Sequence, residues 1–546
     1  MNPDDRYFRL LALALGLLAF LAVVLTVSDY GLVYDEPVYL HFGQYKADWI
    51  TDVVALRWGQ AFTRDSIEQA WRVESAGVQD MQPPFEEVLS GVSQRVLGPV
   101  AVRLPTALLF GVAVTALALL LAGVAGRAAG LFGALAFALS PRVFADAHYA
   151  TLDLPVTALV VLTTATALRL GRTPNTLWTV ITGAAFGLGL LCKLNAMILA
   201  PALLVWFAVF RRPALWRLAI ALAIVGPAVF WLGWPWLWFA PVGRTAAYLA
   251  FHLRHYPINT YYLGRLYAYA PWHYPFVMTA VTVPLAFLLF AVDGFAVGLV
   301  RVRQRPEPLL FVLGAGAYLV AFALPTTPKY DGVRLFLPAM AFVAALAGIG
   351  LGALAAALPP LFRSETRPWL IGTAIGVLCL PAVAALVRIN PYPLAYYNEL
   401  AGGPRGARAK GFETVYWGGP YYGALKYLNA QSRPGDLVYV TPAGVIDTLF
   451  RVYQRAGACR DDLRFTASAA DLPRVNWVLL QTAQGEFGPE SGPDAVAWPL
   501  YRRGWPREVV ARAGAPLALL YTGEEARHVL SGPRGQRSGL LLESPR

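Results

Sequence analysis

Apolar residues fall in blocks near 8–28, 104–125, 128–145, 154–170, 177–192, 195–210, 217–238, 275–299, 308–325, 336–359 and 369–388. A helix of about 20 residues, rising 1.5 Å per residue, covers the roughly 30 Å hydrocarbon core of a bilayer. The pattern therefore predicts eleven membrane-spanning helices, with the blocks between 177 and 210 the shortest. Short loops holding Arg127, Arg169/Arg172, Arg211/Arg212/Arg217, Arg301/Arg303/Arg305 and Arg363/Arg367 occur at every second connection. The positive-inside rule puts these loops, and the start with Arg6 and Arg9, in the cytoplasm. An odd number of spans then places the C-terminal region outside. The block at 8–28 is longer than a secretory h-region and no small-x-small site follows it, so it reads as a retained first span.

Three outer connections are long. Residues 29–103 contain amphipathic sequence from Trp58 to Trp71, predicting helices along the membrane surface. Residues 239–274 are rich in Tyr, Trp, His and Pro. Residues 389–546 are much more polar, and the runs 436–441, 475–482 and 507–522 carry the β-branched and alternating apolar content of strands. The expected architecture is a polytopic helical membrane module, 1–388, followed by an outer α/β domain, 389–546. No internal repeat is visible, which argues against an inverted-repeat transporter.

Composition sharpens this reading. Of 546 residues, 57% are hydrophobic and 14% charged, against roughly 25% charged in a typical soluble domain. A disordered chain, a coiled coil and an ordinary cytosolic enzyme are excluded. The net charge of +12 comes from cations gathered in loops, where they set orientation and meet anionic lipid. No motif for nucleic acid accompanies it. Cys192, Cys379 and Cys459 lie far apart and form neither a disulfide framework nor a zinc pattern.

Candidate chemistry gathers at the outer face. Asp35 and Glu36 follow the first span; adjacent carboxylates there suit a general base with a second acid for orientation, and equally suit a solvated loop start. Asp153 stands at the mouth of a span, where a helix cap would also put an acid. Asp146 and His148 are two ligand types, too few for a metal site. Lys193 breaks an apolar stretch, and Lys329, Asp331 and Arg334 crowd one short outer loop. Outer-edge cations oppose the positive-inside tendency; an anionic headgroup or phosphate explains them, as does snorkelling or pairing with Asp331. Tyr397, Asn398 and Glu399, in the stretch 389–417, offer stacking and hydrogen-bonding groups for a sugar, or form part of an aromatic belt.

Taken in order, these elements resemble the GT-C glycosyltransferases, specifically the bacterial relatives of the protein O-mannosyltransferases and the lipid A aminoarabinose transferase. The similarity covers most of 1–420. It rests on Asp35-Glu36; Gln82-Pro83-Pro84-Phe85 followed by Val102-Arg103-Leu104-Pro105; Asp153-Leu154-Pro155; Gly187 to Lys193; Tyr261-Tyr262-Leu263-Gly264 with Pro271-Trp272; and Lys329 to Arg334. Gln82 departs from the family, which commonly has His before the two prolines. The resemblance implies a polyprenyl-phosphate-linked sugar donor and a lipid, glycan or protein acceptor, in a bacterial inner membrane with the site on the periplasmic side. It implies Asp35 as base in an inverting transfer, Asp153 as a second acid, and Lys193 at the donor phosphate. Arg103, Lys329, Tyr330 and Arg334 become further donor contacts. An anionic phosphate leaving group does not strictly need a metal, so no cofactor is expected, with a divalent cation the alternative. Two other classes remain open: a transporter or flippase of lipid-linked sugars, and a binding subunit.

Overall fold

A computed structural model describes residues 3–72, 74–75, 78–254, 256–357, 367–442, 446–487 and 496–532. Arg363 of the fifth cationic loop and the end of the outer domain, 533–546, lie outside the described residues.

Among the described residues, six helices are long and apolar enough to cross a membrane: Asp5–Asp29, Ala101–Ala125, Asp153–Arg172, Arg212–Leu232, Arg334–Ala357 and Trp369–Ile389. Five shorter apolar helices stand with them, Arg127–Ala138, Thr176–Cys192, Leu194–Phe210, Leu285–Val300 and Glu307–Ala323. Together they match the eleven apolar blocks. Several blocks are interrupted, two of them near the site. The block at 128–145 breaks at Leu139-Ser140 into Arg127–Ala138 and Pro141–Asp146. That at 275–299 breaks at Val283-Pro284, because proline lacks the N–H that a continuous helix needs. The helices Asp153–Arg172 and Arg334–Ala357 are the most enclosed of the six, with 78% and 83% of their most apolar windows buried. Their first residues, Asp153 and Arg334, are therefore carried on the best-held supports in the bundle.

The cationic loops assemble at the opposite end. Arg127 reaches Asp5 at 3.2 Å, and Arg211 reaches Glu307 at 3.1 Å. Loops assigned to one side by charge are thus neighbours in space.

Residues 29–103 form helices over the other end of the bundle. Glu36–Val54 packs on Phe85–Leu97 through a close glycine contact: a Cβ on Gly91 would lie 2.0 Å from the Gly43 carbonyl oxygen. A buried ion group locks the pair. Lys46 Nζ bonds Glu87 at 2.7 Å and also Asp80, all without solvent access. Burial pushes the Glu87 carboxyl up to about 8, with the charge of Asp80 acting in the same direction. Burial likewise pushes Glu86 up to about 8.

The outer domain holds a five-stranded mixed sheet. In spatial order its strands are Arg464–Thr466, Leu437–Thr441, Trp477–Gln481, Ala515–Thr522 and Glu508–Arg512. The first three are parallel and the last two antiparallel. The run at 507–522 is a hairpin turned at Ala513-Gly514, both at positive φ. Arg464–Thr466 escapes the sequence reading because three residues carry no alternation. This domain clasps the chain beyond the first span: Tyr453 Oη accepts from Leu32 N at 2.7 Å, and Tyr34 Oη donates to Gln481 Oε1 at 2.8 Å. Asn398 donates to the carbonyls of Ala280 and Val283, both at 2.7 Å, filling the hydrogen bonds that the Pro284 break leaves open.

Candidate active site

Asp35 immediately precedes the helix Glu36–Val54, and Asp153 opens the helix Asp153–Arg172 with Pro155 in its first turn, where proline is tolerated. Lys193 follows the C-terminus of Thr176–Cys192, the helix end that favours a cation. Asp331 takes φ of 55°, a left-handed turn conformation that Asp tolerates better than most residues. That turn sets Asp331 beside Arg334.

Arg334 is the hub. Its Nη2 bonds Asp35 Oδ2, its Nε bonds Asp153 Oδ2 at 3.1 Å, and its Nη1 bonds Asp331 Oδ2 at 2.7 Å. Lys193 Nζ takes the other oxygen of Asp153. Three carboxylates thus face two cations. The Asp35 and Lys193 side chains keep 30% and 19% of their exposure, whereas Asp153 keeps 1%. Asp35 and Lys193 are reachable by a ligand; Asp153 serves from behind. Burial raises the Asp331 carboxyl, and the Arg334 guanidinium opposes that rise.

The outer domain completes the group. Trp417 Nε1 donates to Asp35 Oδ2 at 3.0 Å, and the Arg334 guanidinium carbon lies 3.7 Å from the Trp417 ring centroid. Glu486 is half-buried nearby and raised to about 8, chiefly by desolvation and then by Asp331. Such a cluster joins a reachable carboxylate, able to take a proton, to cations able to meet an anion.

Residues 83–239 match the family model described as dolichyl-phosphate-mannose-protein mannosyltransferase. The apo structure of ArnT from Cupriavidus metallidurans aligns with 97% of this chain and 100% of its own, at 17% identity and a TM-score of 0.50. The apo oligosaccharyltransferase of Archaeoglobus fulgidus aligns with 92% of this chain and 72% of its own, at 13% identity and a TM-score of 0.50. The chain has the fold of these two proteins. ArnT bound to undecaprenyl phosphate also aligns, over 96% of this chain and 99% of its own, at 18% identity and a TM-score of 0.49. No curated protein matches the chain at significance.

In this fold Asp35, Asp153, Lys193 and Arg334 come together as one group, with Tyr330 half-buried beside it and raised by burial. The remaining residues singled out from sequence stand elsewhere. Glu36 and Arg103 form a bidentate buried pair, both bonds 2.7 Å. Lys329 Nζ donates to the carbonyls of Leu324 and Thr327 at 2.7 and 2.9 Å, inside its own loop, and burial lowers its pKa. Tyr397 donates to the Glu413 carbonyl at 2.7 Å with Arg142 over its ring, Asn398 ties the Pro284 break, and Glu399 is exposed. His148 is buried, stacked on Tyr30 with ring centroids 3.8 Å apart, and its Nδ1 donates to the Phe144 carbonyl at 2.7 Å. Burial lowers it to about 3, which keeps it neutral. Among the described residues, no three His, Cys, Asp or Glu side chains sit together as a metal-binding group. Trp417 was missed: in sequence it is one more aromatic in a Tyr- and Trp-rich stretch.

Proposed function

We propose that the enzyme transfers a sugar from a polyprenyl-phosphate-linked donor to an acceptor hydroxyl at the periplasmic face of a bacterial inner membrane, with inversion. Asp35 takes the hydroxyl proton, the acceptor oxygen bonds the anomeric carbon, and the bond from that carbon to the phosphate oxygen breaks. Polyprenyl phosphate leaves with the electron pair. Lys193 and Arg334 meet its charge, an electrostatic contribution that grows as the bond breaks. The acceptor is a lipid, a glycan or a protein.

The observation carrying this reading is the Arg334 hub, which holds the reachable Asp35 and, through Asp153, gathers Lys193 into the same cluster at one end of the bundle. The family match supports the donor class, since its description names a polyprenyl-phosphate sugar. The opposite end gathers the Arg127 and Arg211 ion pairs, which supports a cytoplasmic N-terminus and a periplasmic outer domain.

The test follows release of polyprenyl phosphate from a panel of labelled undecaprenyl-phosphate sugars, for wild type and Asp35→Asn in nanodiscs. Turnover by wild type and a loss of at least about 10²-fold in the variant are expected, the lower range for a positioned general base. Equal behaviour of the two, with the lipid still bound or moved, overturns the enzyme mechanism in favour of transport or binding.

A further inference from the structure

Trp417 precedes the helix Tyr421–Gln431 of the sheet domain, and its backbone is strained. Its φ is 73°, an outlier for a bulky side chain, and Gly418 follows at 90°. A Cβ at Gly418 would lie 2.6 Å from the Tyr34 ring, so the chain passes too close there for any side chain. Strain of this kind persists only where the surroundings over-determine it. Here the Trp417 carbonyl accepts from Tyr34 N at 3.0 Å, its ring lies edge-on to Tyr149 at 5.7 Å, and the Arg334 guanidinium stacks on it. The indole N–H goes to Asp35 Oδ2, the same oxygen that Arg334 binds. Among the described residues, no hydrogen-bond donor reaches Asp35 Oδ1.

We propose that Trp417 is a positioning residue for the Asp35 carboxylate, and that the outer domain is thereby part of the active site. With Arg334 it engages one carboxylate oxygen and leaves the second for the acceptor proton. Its main chain fixes Tyr34, the residue before Asp35, so carboxylate and backbone are held from one point. The carboxylate cannot rotate without breaking both bonds to Oδ2. This rests on Asp35 being the base.

Trp417→Phe keeps a ring over Arg334 and removes the N–H. The full chain in nanodiscs is assayed with the panel of undecaprenyl-phosphate sugars, alongside Asp35→Asn, the double variant, and binding of undecaprenyl phosphate alone. The expected result is a kcat about tenfold lower, with donor KM and lipid binding within twofold and melting temperature nearly unchanged. In the double variant, Trp417→Phe adds nothing to Asp35→Asn. A Trp417→Phe enzyme with wild-type kcat overturns the assignment while Asp35→Asn stays inactive. So does a loss that follows donor KM, lipid binding and melting temperature together, since a packing role moves all three. Full activity in Asp35→Asn defeats the underlying mechanism instead.

Discussion

Arg103 offers the sharpest separation between a residue that meets substrate and one that holds the frame. A guanidinium has five N–H donors, and all are engaged: Nε and Nη2 to the two oxygens of Glu36, Nη1 to the carbonyls of Val27 and Tyr30, and Nη2 also to Gly31. None remains for a phosphate. Glu36 in turn accepts from Val33 N at 3.0 Å and Ala150 N at 2.9 Å. The pair therefore joins the end of the first span, the start of Glu36–Val54 and the loop before Asp153. Removing one partner of such a buried pair costs about 3–5 kcal/mol, because the other charge is left without compensation. Arg103→Leu should lower stability by that amount in SDS-titration unfolding of the detergent-solubilised protein. Arg103→Lys should recover only part, since an ammonium has three donors and no fork. Undecaprenyl phosphate binding, measured well below the melting temperature, should stay within a few-fold of wild type. Wild-type stability of Arg103→Leu coupled to lost lipid binding would refute the reasoning and return Arg103 to the donor.

Other outcomes follow from the same geometry. Lys193→Met should weaken undecaprenyl phosphate binding by tenfold or more in a titration, because it removes the half-buried, reachable cation while Asp153 keeps Arg334; unchanged affinity would remove Lys193 from the donor site. Glu86 holds its proton up to about pH 8 in the folded chain, through burial, and releases it near its usual 4.5 when unfolded. Unfolding then releases a proton between those values, so stability falls with rising pH by up to about 1.4 kcal/mol per pH unit from this group. Glu86→Gln should flatten the melting-temperature profile between pH 5 and 8 and raise it at pH 8; an unchanged profile would show that Glu86 ionises normally. EDTA should leave donor turnover within twofold, since Arg334 occupies the place among Asp35, Asp153 and Asp331 that a cation would need; a large loss restored by magnesium or manganese would contradict this.

The bundle was legible because each span is an apolar run whose length is set by the bilayer, and because its cations alternate between loops. The site was legible in part for the same reason: Lys193 and Arg334 are cations at the wrong edge, and Asp35 and Asp153 open helices there. What sequence could not show was pairing over long separations. Glu36 looks like a second catalytic acid beside Asp35, yet its partner Arg103 lies 67 positions away. Helix geometry turns neighbours in sequence to different faces, so one acid of the dipeptide meets the buried frame and the other the open cluster. Lys46 was hidden for a related reason, since a lysine on an amphipathic helix reads as solvated until Asp80 and Glu87 are packed on it.

The division of labour between the two acids has a chemical consequence. Asp35 keeps Oδ1 for the acceptor proton, yet its Oδ2 is tied to Arg334, which restrains the movement of the carboxylate. A donor phosphate arriving at Lys193 and Arg334 competes with the carboxylates for the same cations, three acids to two bases. Each bond that Arg334 transfers to phosphate loosens its hold on Asp35, while the Trp417 bond remains to keep the carboxylate oriented. Donor binding should therefore precede acceptor activation. Steady-state turnover with both substrates varied should give the intersecting pattern of an ordered mechanism, and undecaprenyl phosphate should compete with donor but not with acceptor. Parallel lines, or competition with the acceptor alone, would place the phosphate elsewhere and uncouple Arg334 from the base.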